Sequence, residues 1–325
     1  MKPLINNIII FLFISILFSF TIFTLYYIIN KKTGLDIPAL NFSDSYSFNE
    51  KIFFLSTVPK DANIIALGSS MTLNNLHSGT VTKELQSDKF LNTASWGMSM
   101  FDDYSFLKVL NHLYPVKSLI IISGFIDFKQ PDKKIDYKFV ENYLNNKNVQ
   151  TCLYFLKNFN LKYYFEKSKY AFHVRHCIND YQYLSYDNYG TVNLKKDNFH
   201  VSEERWIRDY CEGYGFEKQY MYLDSISDFC TKNGIKLMFF QSPLRQGIYS
   251  ELSQSKLTNL QIHTTKVQGI IEKNNQIFIN SNEKLWADSL FLDATHLNDV
   301  GAQLFTAYCF DTMKTRTKKK EDKLY

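Results

Sequence analysis

The chain has 325 residues, a formal charge of +5 and an apolar fraction of 45%, with 28 Phe and 22 Tyr. This is enough for one large domain plus an anchor, or two small domains, and too apolar for a chain disordered beyond its ends. Its lysines are scattered and accompany no base-reading or stacking module, which argues against a nucleic-acid partner.

Residues 8–29 are almost continuously apolar, from Ile8-Ile9-Ile10-Phe11-Leu12-Phe13-Ile14 to Tyr26-Tyr27-Ile28-Ile29, and carry no charge. About 20 such residues cross a bilayer core. The stretch is longer than the apolar region of a cleavable signal peptide and ends in tyrosines rather than a small-x-small site. Residues 1–32 are therefore expected to be an uncleaved membrane anchor. Lys2 and the α-amine flank one end, Lys31 and Lys32 the other, so charge sets the topology only weakly and leans against export of the body.

Residues 33–60 are polar and turn-rich, with Gly34, Pro38 and Pro59, and read as a linker with a short helix. The body is expected over 61–316. Strands are predicted at 63–67, 89–93, 118–123, 236–241 and 276–279, each short and rich in Ile, Leu and Phe, as suits strands buried on both faces. Helices are predicted at 73–85, 101–113, 216–233, 257–273 and 299–313, with Gly234 as a C-cap. The alternation predicts an α/β protein, a three-layer α/β/α sandwich around a mostly parallel five-stranded sheet. A long insertion at 129–215 carries Tyr163, Tyr164, Tyr170, Tyr181, Tyr183, Tyr186 and Tyr189. It suits a helical cap with aromatic packing, or a lid whose rings stack on sugar faces. The basic run Lys314-Thr315-Arg316-Thr317-Lys318-Lys319-Lys320 reads as a solvated terminus, with 317–325 as a tail.

Five cysteines, Cys152, Cys177, Cys211, Cys230 and Cys309, are widely spaced and imply no disulfide framework. His173, His176 and Cys177 share a helix face, but no carboxylate or cysteine pair completes a metal set, so no metal is expected. His77, His112, His200 and His263 have no partner pattern. No Gly-x-Gly-x-x-Gly or Gly-Lys-Ser run is present, so no nucleotide or other cofactor is expected.

Two motifs carry the chemistry. Gly68-Ser69-Ser70-Met71 follows the apolar run Ile64-Ile65-Ala66-Leu67, at a strand-to-helix turn where an open α/β sheet presents its ligands. Either serine also suits a helix N-cap. Phe291-Leu292-Asp293-Ala294-Thr295-His296-Leu297-Asn298 places a carboxylate three residues before an imidazole. Ser70 as nucleophile, His296 as general base and Asp293 as its orienting carboxylate would make a Ser-His-Asp triad.

These blocks resemble those of the SGNH (GDSL-like) hydrolase family, whose first block is Gly-Asp-Ser and whose last is Asp-x-x-His. Leu297-Asn298-Asp299-Val300-Gly301-Ala302 is similar to that family's continuation, and Asn92-Thr93-Ala94-Ser95-Trp96-Gly97 to its second block. The resemblance implies a flavodoxin-like fold and an oxyanion hole formed by the amides of Ser70 and Gly97. The third block departs: Gly124-Phe125-Ile126-Asp127 has Ile126 where the family places an asparagine donor. One lost donor of this kind costs about 2.7–4 kcal/mol of transition-state stabilisation. Ser123, a residue of the insertion or Arg245 is a candidate replacement, and Arg245, Asp127 and Trp286 are candidates for substrate contact. An anchored N-terminus with a Gly-Ser-Ser first block looks like a membrane-tethered branch that includes the D-alanyl-lipoteichoic acid biosynthesis protein D family and the alginate O-acetylation proteins. That likeness implies an extracytoplasmic esterase or O-acyltransferase acting on acyl esters of a cell-envelope glycopolymer, with a multispanning membrane acyltransferase as a partner. The alternative is a non-catalytic protein that binds the polymer or scaffolds such an acyltransferase.

Overall fold

The structure is a computed structural model that describes residues 2–146, 148–177, 182–195, 203–206 and 213–321; Tyr181, His200 and Cys211 lie outside them. In chain order the elements are α1 (Lys2–Thr33), α2 (Tyr46–Thr57), β1 (Ile64–Ala66), α3 (Ser70–Asn75), α4 (Ser78–Leu85), β2 (Phe90–Asn92), α5 (Met100–Leu113) and β3 (Ser118–Ser123). A 3-10 turn (Phe125–Lys129) leads into the insertion, with α6 (Tyr137–Leu144), α7 (Asn148–Asn158), α8 (Leu161–His176) and α9 (Glu203–Trp206). The second half holds α10 (Glu217–Lys232), β4 (Lys236–Gln241), α11 (Gln246–Glu251), α12 (Gln254–Glu272), β5 (Ile277–Ile279) and α13 (Asp299–Glu321).

The five strands form one parallel sheet in the order β2-β1-β3-β4-β5. Because successive strand side chains face opposite ways, each strand feeds two cores. Ile65, Leu119, Ile121, Leu237, Phe239 and Phe278 pack with Leu107 and Leu110 of α5, Leu223 and Ile226 of α10 and Val267 and Ile271 of α12. Ile64, Ala66, Ile120, Ile122, Met238, Phe240 and Ile279 pack with Val81 of α4 and Phe305 and Phe310 of α13. This is the α/β class expected, with helices on both faces of a parallel sheet.

Three boundaries differ from the sequence reading. The single helix expected over 73–85 is two, because Leu76 is extended and the His77 ring accepts from the Thr80 amide at 3.1 Å, capping a new helix. Residues 33–60 are more than a linker. Phe42, Phe48, Ile52 and Leu55 enter the first core, and full burial of each large side chain contributes about 1.5–3 kcal/mol. At the other end, α13 continues through Glu321, so the first part of the expected tail is helical.

The insertion's tyrosines mostly pack inward. Tyr170 meets Tyr46 edge-on at 4.8 Å, the Lys51 ammonium lies 4.0 Å from the Tyr186 ring centre, and the Tyr163 hydroxyl donates to the Ala39 carbonyl at 3.2 Å. At the N-terminus, Ile5–Tyr26 of α1 is long and apolar enough to cross a membrane and is not buried in the protein. A signal sequence near the N-terminus passes the same test of length and hydropathy.

Candidate active site

The turn between β1 and α3 presents Ser70. Gly68 has φ +144°, and a Cβ there would lie 2.4 Å from Thr72 Oγ1. The Thr72 hydroxyl is itself fixed between strands, 2.8 Å from both the amide and the carbonyl of Ile122. Glycine is thus required where the chain turns sharply off the sheet. The Ser69 hydroxyl accepts from the Met71 amide at 3.1 Å. The capping role open to either serine falls to Ser69, leaving the Ser70 side chain to face the histidine.

Asp293 and His296 sit on a tight loop between Phe291 and Leu297, which form an isolated antiparallel bridge. Asp293 Oδ1 accepts the amides of Thr295 and His296 at 2.9 and 2.7 Å. Its carboxylate also meets His296 Nδ1 at 2.9 and 3.0 Å. On the far side of the ring, His296 Nε2 lies 2.9 Å from Ser70 Oγ. Burial acts to raise the Asp293 carboxyl, but the charge and hydrogen bonds of His296 and the two loop amides outweigh it and hold Asp293 well below the usual carboxylate range. An ionised carboxylate only accepts, so Nδ1 carries a proton and donates to Asp293. In the neutral ring, Nε2 is then left to accept from the Ser70 hydroxyl.

Asn75 ties the histidine loop to the serine helix. Its side-chain amide donates to the Thr295 carbonyl at 3.0 Å and its oxygen accepts from the Leu297 amide at 2.8 Å, so it grips the residues on both sides of His296. Asn75 is fully buried and lies on α3, which begins at Ser70. No motif marks it in the sequence; an asparagine late in a short helix gives no sign of a contact more than 200 positions away. The run after the histidine also has a local explanation. Asn298 accepts the Gly301 amide at 2.9 Å, and a Cβ on Gly301 would lie 2.2 Å from the Leu290 carbonyl oxygen.

The loop carrying Gly97 lies against the serine turn, because the Ser95 amide donates to the Gly68 carbonyl at 3.0 Å. Ser47 of α2 steadies it, pairing with the Ser95 hydroxyl at 2.8 Å and accepting from the Trp96 amide at 3.1 Å. Gly97 has φ +63°, and a Cβ there would lie 3.2 Å from the Lys133 ammonium. Lys133, in the insertion, belongs to no motif and was not legible as a neighbour of this loop.

The remaining site candidates turn inward. Asp127 is buried and accepts the Ser123 hydroxyl and the Gly124 amide, each at 2.9 Å. Burial raises its carboxyl, opposed by hydrogen bonds from Ser69, Gly124 and Ser123. Both Asp127 and Ser123 thus serve the turn after β3. Arg245 is buried, ion-paired to Asp288 at 2.5 Å and bonded to the Trp206 carbonyl at 3.0 Å. Trp286 is also buried, packed on Phe305 and Tyr308, and its indole N–H donates to the Ser281 carbonyl at 2.9 Å. The polar side-chain atoms of all three hold loops together. Ile126 packs beside Leu244, Ile248 and Leu260 and supplies no donor. Among the described residues, no group of three or more His, Cys, Asp or Glu side chains is placed to hold a metal ion.

No protein-family model matches the chain, and neither does any curated protein. Among solved structures it is similar to a Bacteroides fragilis protein provisionally assigned as an acylhydrolase, with a TM-score of 0.39, 10% identity and coverage of 82% of this chain and 94% of that one. It is also similar to a catalytic mutant of an acetylxylan esterase from Geobacillus stearothermophilus, with a TM-score of 0.41, 11% identity and coverage of 78% and 94%. These likenesses are too distant to carry an argument about substrate or mechanism.

Proposed function

We propose that the chain is a serine esterase or O-acyltransferase, held at a membrane by α1 and acting outside the cytoplasm on acyl esters of a cell-envelope glycopolymer. The single observation that carries the catalytic part is the unbroken hydrogen-bonded line from Ser70 through His296 to an ionised, buried Asp293. In this reading Ser70 Oγ attacks the acyl carbon while its proton passes to His296 Nε2. Asp293 stabilises the imidazolium that forms. Collapse of the tetrahedral intermediate breaks the ester bond, and His296 returns the proton to the leaving alcohol. Water then releases the acyl group from Ser70, or a sugar hydroxyl accepts it. The amides of Ser70 and Gly97 are the proposed oxyanion donors, and the cation of Lys133 beside Gly97 supports charge development at that end of the site.

The membrane location rests on the length and apolar character of α1. The envelope substrate, the outward orientation and a multispanning acyltransferase partner rest on the motif resemblance alone. The test is covalent labelling by a fluorophosphonate together with hydrolysis of a small acetyl ester. Labelling lost in Ser70→Ala is the expected result. A folded protein that neither labels nor turns over the ester would sink the catalytic reading. A scaffolding role is favoured by one observation, the apolar Ile126 in place of a hydrogen-bond donor. It predicts envelope O-acylation that survives Ser70→Ala and His296→Ala but not deletion of the protein.

A further inference from the structure

We propose that the α7–α8 hairpin is a membrane-interface element, its exposed apolar stripe seated among lipid headgroups and upper acyl chains beside the point where α1 leaves the bilayer. The inference rests on the reading of α1 as a membrane anchor. On α7, Val149, Leu153 and Leu156 follow one another at i, i+4 and i+7, which places them on one helix face, and they are 70%, 62% and 72% exposed. On α8, Leu161 and Phe165 are 57% and 67% exposed. Exposed apolar side chains grouped in this way on two consecutive helices mark an interaction site.

What covers the stripe is indicated by where it leads. Leu161, Phe165, Ser168 and Phe172 recur at spacings of four, three and four along one face of α8. The second half of that face meets the emerging anchor. Ser168 Oγ is 2.9 Å from the hydroxyl of Tyr26, the last residue of the apolar span, and the Ser168 carbonyl accepts the Asp36 amide at 3.0 Å. Phe172 packs where a Cβ on Gly34 would lie, at 3.6 Å. Leu161 is seven residues up the helix from Ser168, so the exposed half begins within about 10 Å of that contact. The chemistry around it suits a lipid surface. The two helices and their connection carry Lys157, Lys162, Lys167 and Lys169 and one acidic residue, Glu166, which pairs with Lys162 at 3.6 Å. Basic residues flanking an apolar helix face favour anionic headgroups.

The hairpin is coupled to the candidate site. Arg175 of α8 pairs with the buried Glu50 of α2 at 2.8 Å, and α2 holds the Ser95–Trp96 segment through Ser47. Seating α7 and α8 on lipid therefore sets the orientation of the Ser70 site toward the membrane surface, which a single anchoring helix alone does not fix.

The test uses the full chain in vesicles of phosphatidylcholine and phosphatidylglycerol, with acyl chains unmodified, brominated near the headgroup for positions 153, 165 and 262, or brominated near the chain end for position 18, which lies at mid-span. Leu153→Trp, Phe165→Trp, Phe18→Trp and Ile262→Trp are compared by the fluorescence each adds to that of the parent protein. The expected result is quenching of about twofold or more at positions 153, 165 and 18, with position 262 on α12 unaffected. Quenching at 18 but not at 153 or 165 overturns the hairpin inference and leaves the anchor standing. Loss of quenching at 18 overturns the anchor, and this inference with it. Emission at 165 that is unquenched and shifts with protein concentration also overturns it, by assigning the stripe to a second copy of the chain.

Discussion

His296 Nε2 lies 2.9 Å from the Ser70 hydroxyl although 226 positions separate them, and nothing bonded along the chain requires this. If that contact is the proton-transfer route, Ser70→Ala and His296→Ala each lower kcat/KM for a small acetyl ester by on the order of 10³-fold or more. Combining them costs little beyond either alone, because they act as a unit. Steady-state hydrolysis of the two single variants and the double variant measures this.

Asp293→Asn is expected to lower kcat by on the order of 10⁴-fold, because an amide in place of the carboxylate no longer selects the tautomer with its proton on Nδ1. The sign of its pH effect follows from the depressed carboxyl. A carboxylate with a folded-state pKa below its unfolded value stabilises the fold above about pH 4 and loses that contribution as pH falls through the folded value. Chemical denaturation at pH 7 and pH 3 is therefore expected to show Asp293→Asn less stable than the parent at pH 7, with a smaller gap at pH 3.

Asn75→Ala releases both sides of the His296 loop. The expected outcome is a kcat at least about tenfold lower with KM nearly unchanged, since the imidazole loses its position but the substrate surface remains. Asn75→Asp keeps the acceptor for the Leu297 amide but sets a buried carboxyl oxygen against the Thr295 carbonyl, and should lower kcat at least as far. A rise in KM with kcat preserved would contradict a positioning role.

Gly68→Ala places a Cβ 2.4 Å from Thr72 Oγ1 at a φ of +144°. Backbone strain alone costs about 1–3 kcal/mol, and displacing the Thr72 hydroxyl from between two strands adds to it. Thermal unfolding should show a clear loss of Tm, relieved in part by Thr72→Ala in the same chain.

Burial lowers His263 to about 3 from an ordinary 6.5, its ring accepting from or donating to the Tyr220 hydroxyl at 2.8 Å inside the protein. A histidine kept neutral by the fold favours the unfolded state once that state takes up a proton. Stability is therefore complete above about pH 6.5 and falls toward pH 3, by up to about 1.4 kcal/mol per pH unit. Urea titrations at pH 7 and pH 5 should show this loss in the parent and a smaller one in His263→Gln.

Several parts of the site could be read before any coordinates. The third and fourth strands match the expected ranges because each has four consecutive apolar residues between polar ends, buried on both faces in a parallel sheet. Ser70, Asp293 and His296 were legible because a tight turn and a short loop require particular residues at fixed spacing. Asn75 and Lys133 were not. A buried amide gripping a distant loop, or a lysine beside a distant glycine, leaves no periodic trace. Trp286, Arg245 and Asp127 are the converse case: their side-chain chemistry suits ligand contact, and only the fold shows that they are buried and bonded to neighbouring loops.

The sequence by itself determined the class of the fold, the apolar N-terminal helix and the Asp-x-x-His loop, because hydropathy, strand length and local turn geometry act over a few residues. The tertiary structure alone decided that Ser69 takes the helix cap, that residues 33–60 form part of the core, and that Ser70 faces His296. Those outcomes depend on which segments the sheet order brings together, and long-range packing has no signature in local spacing.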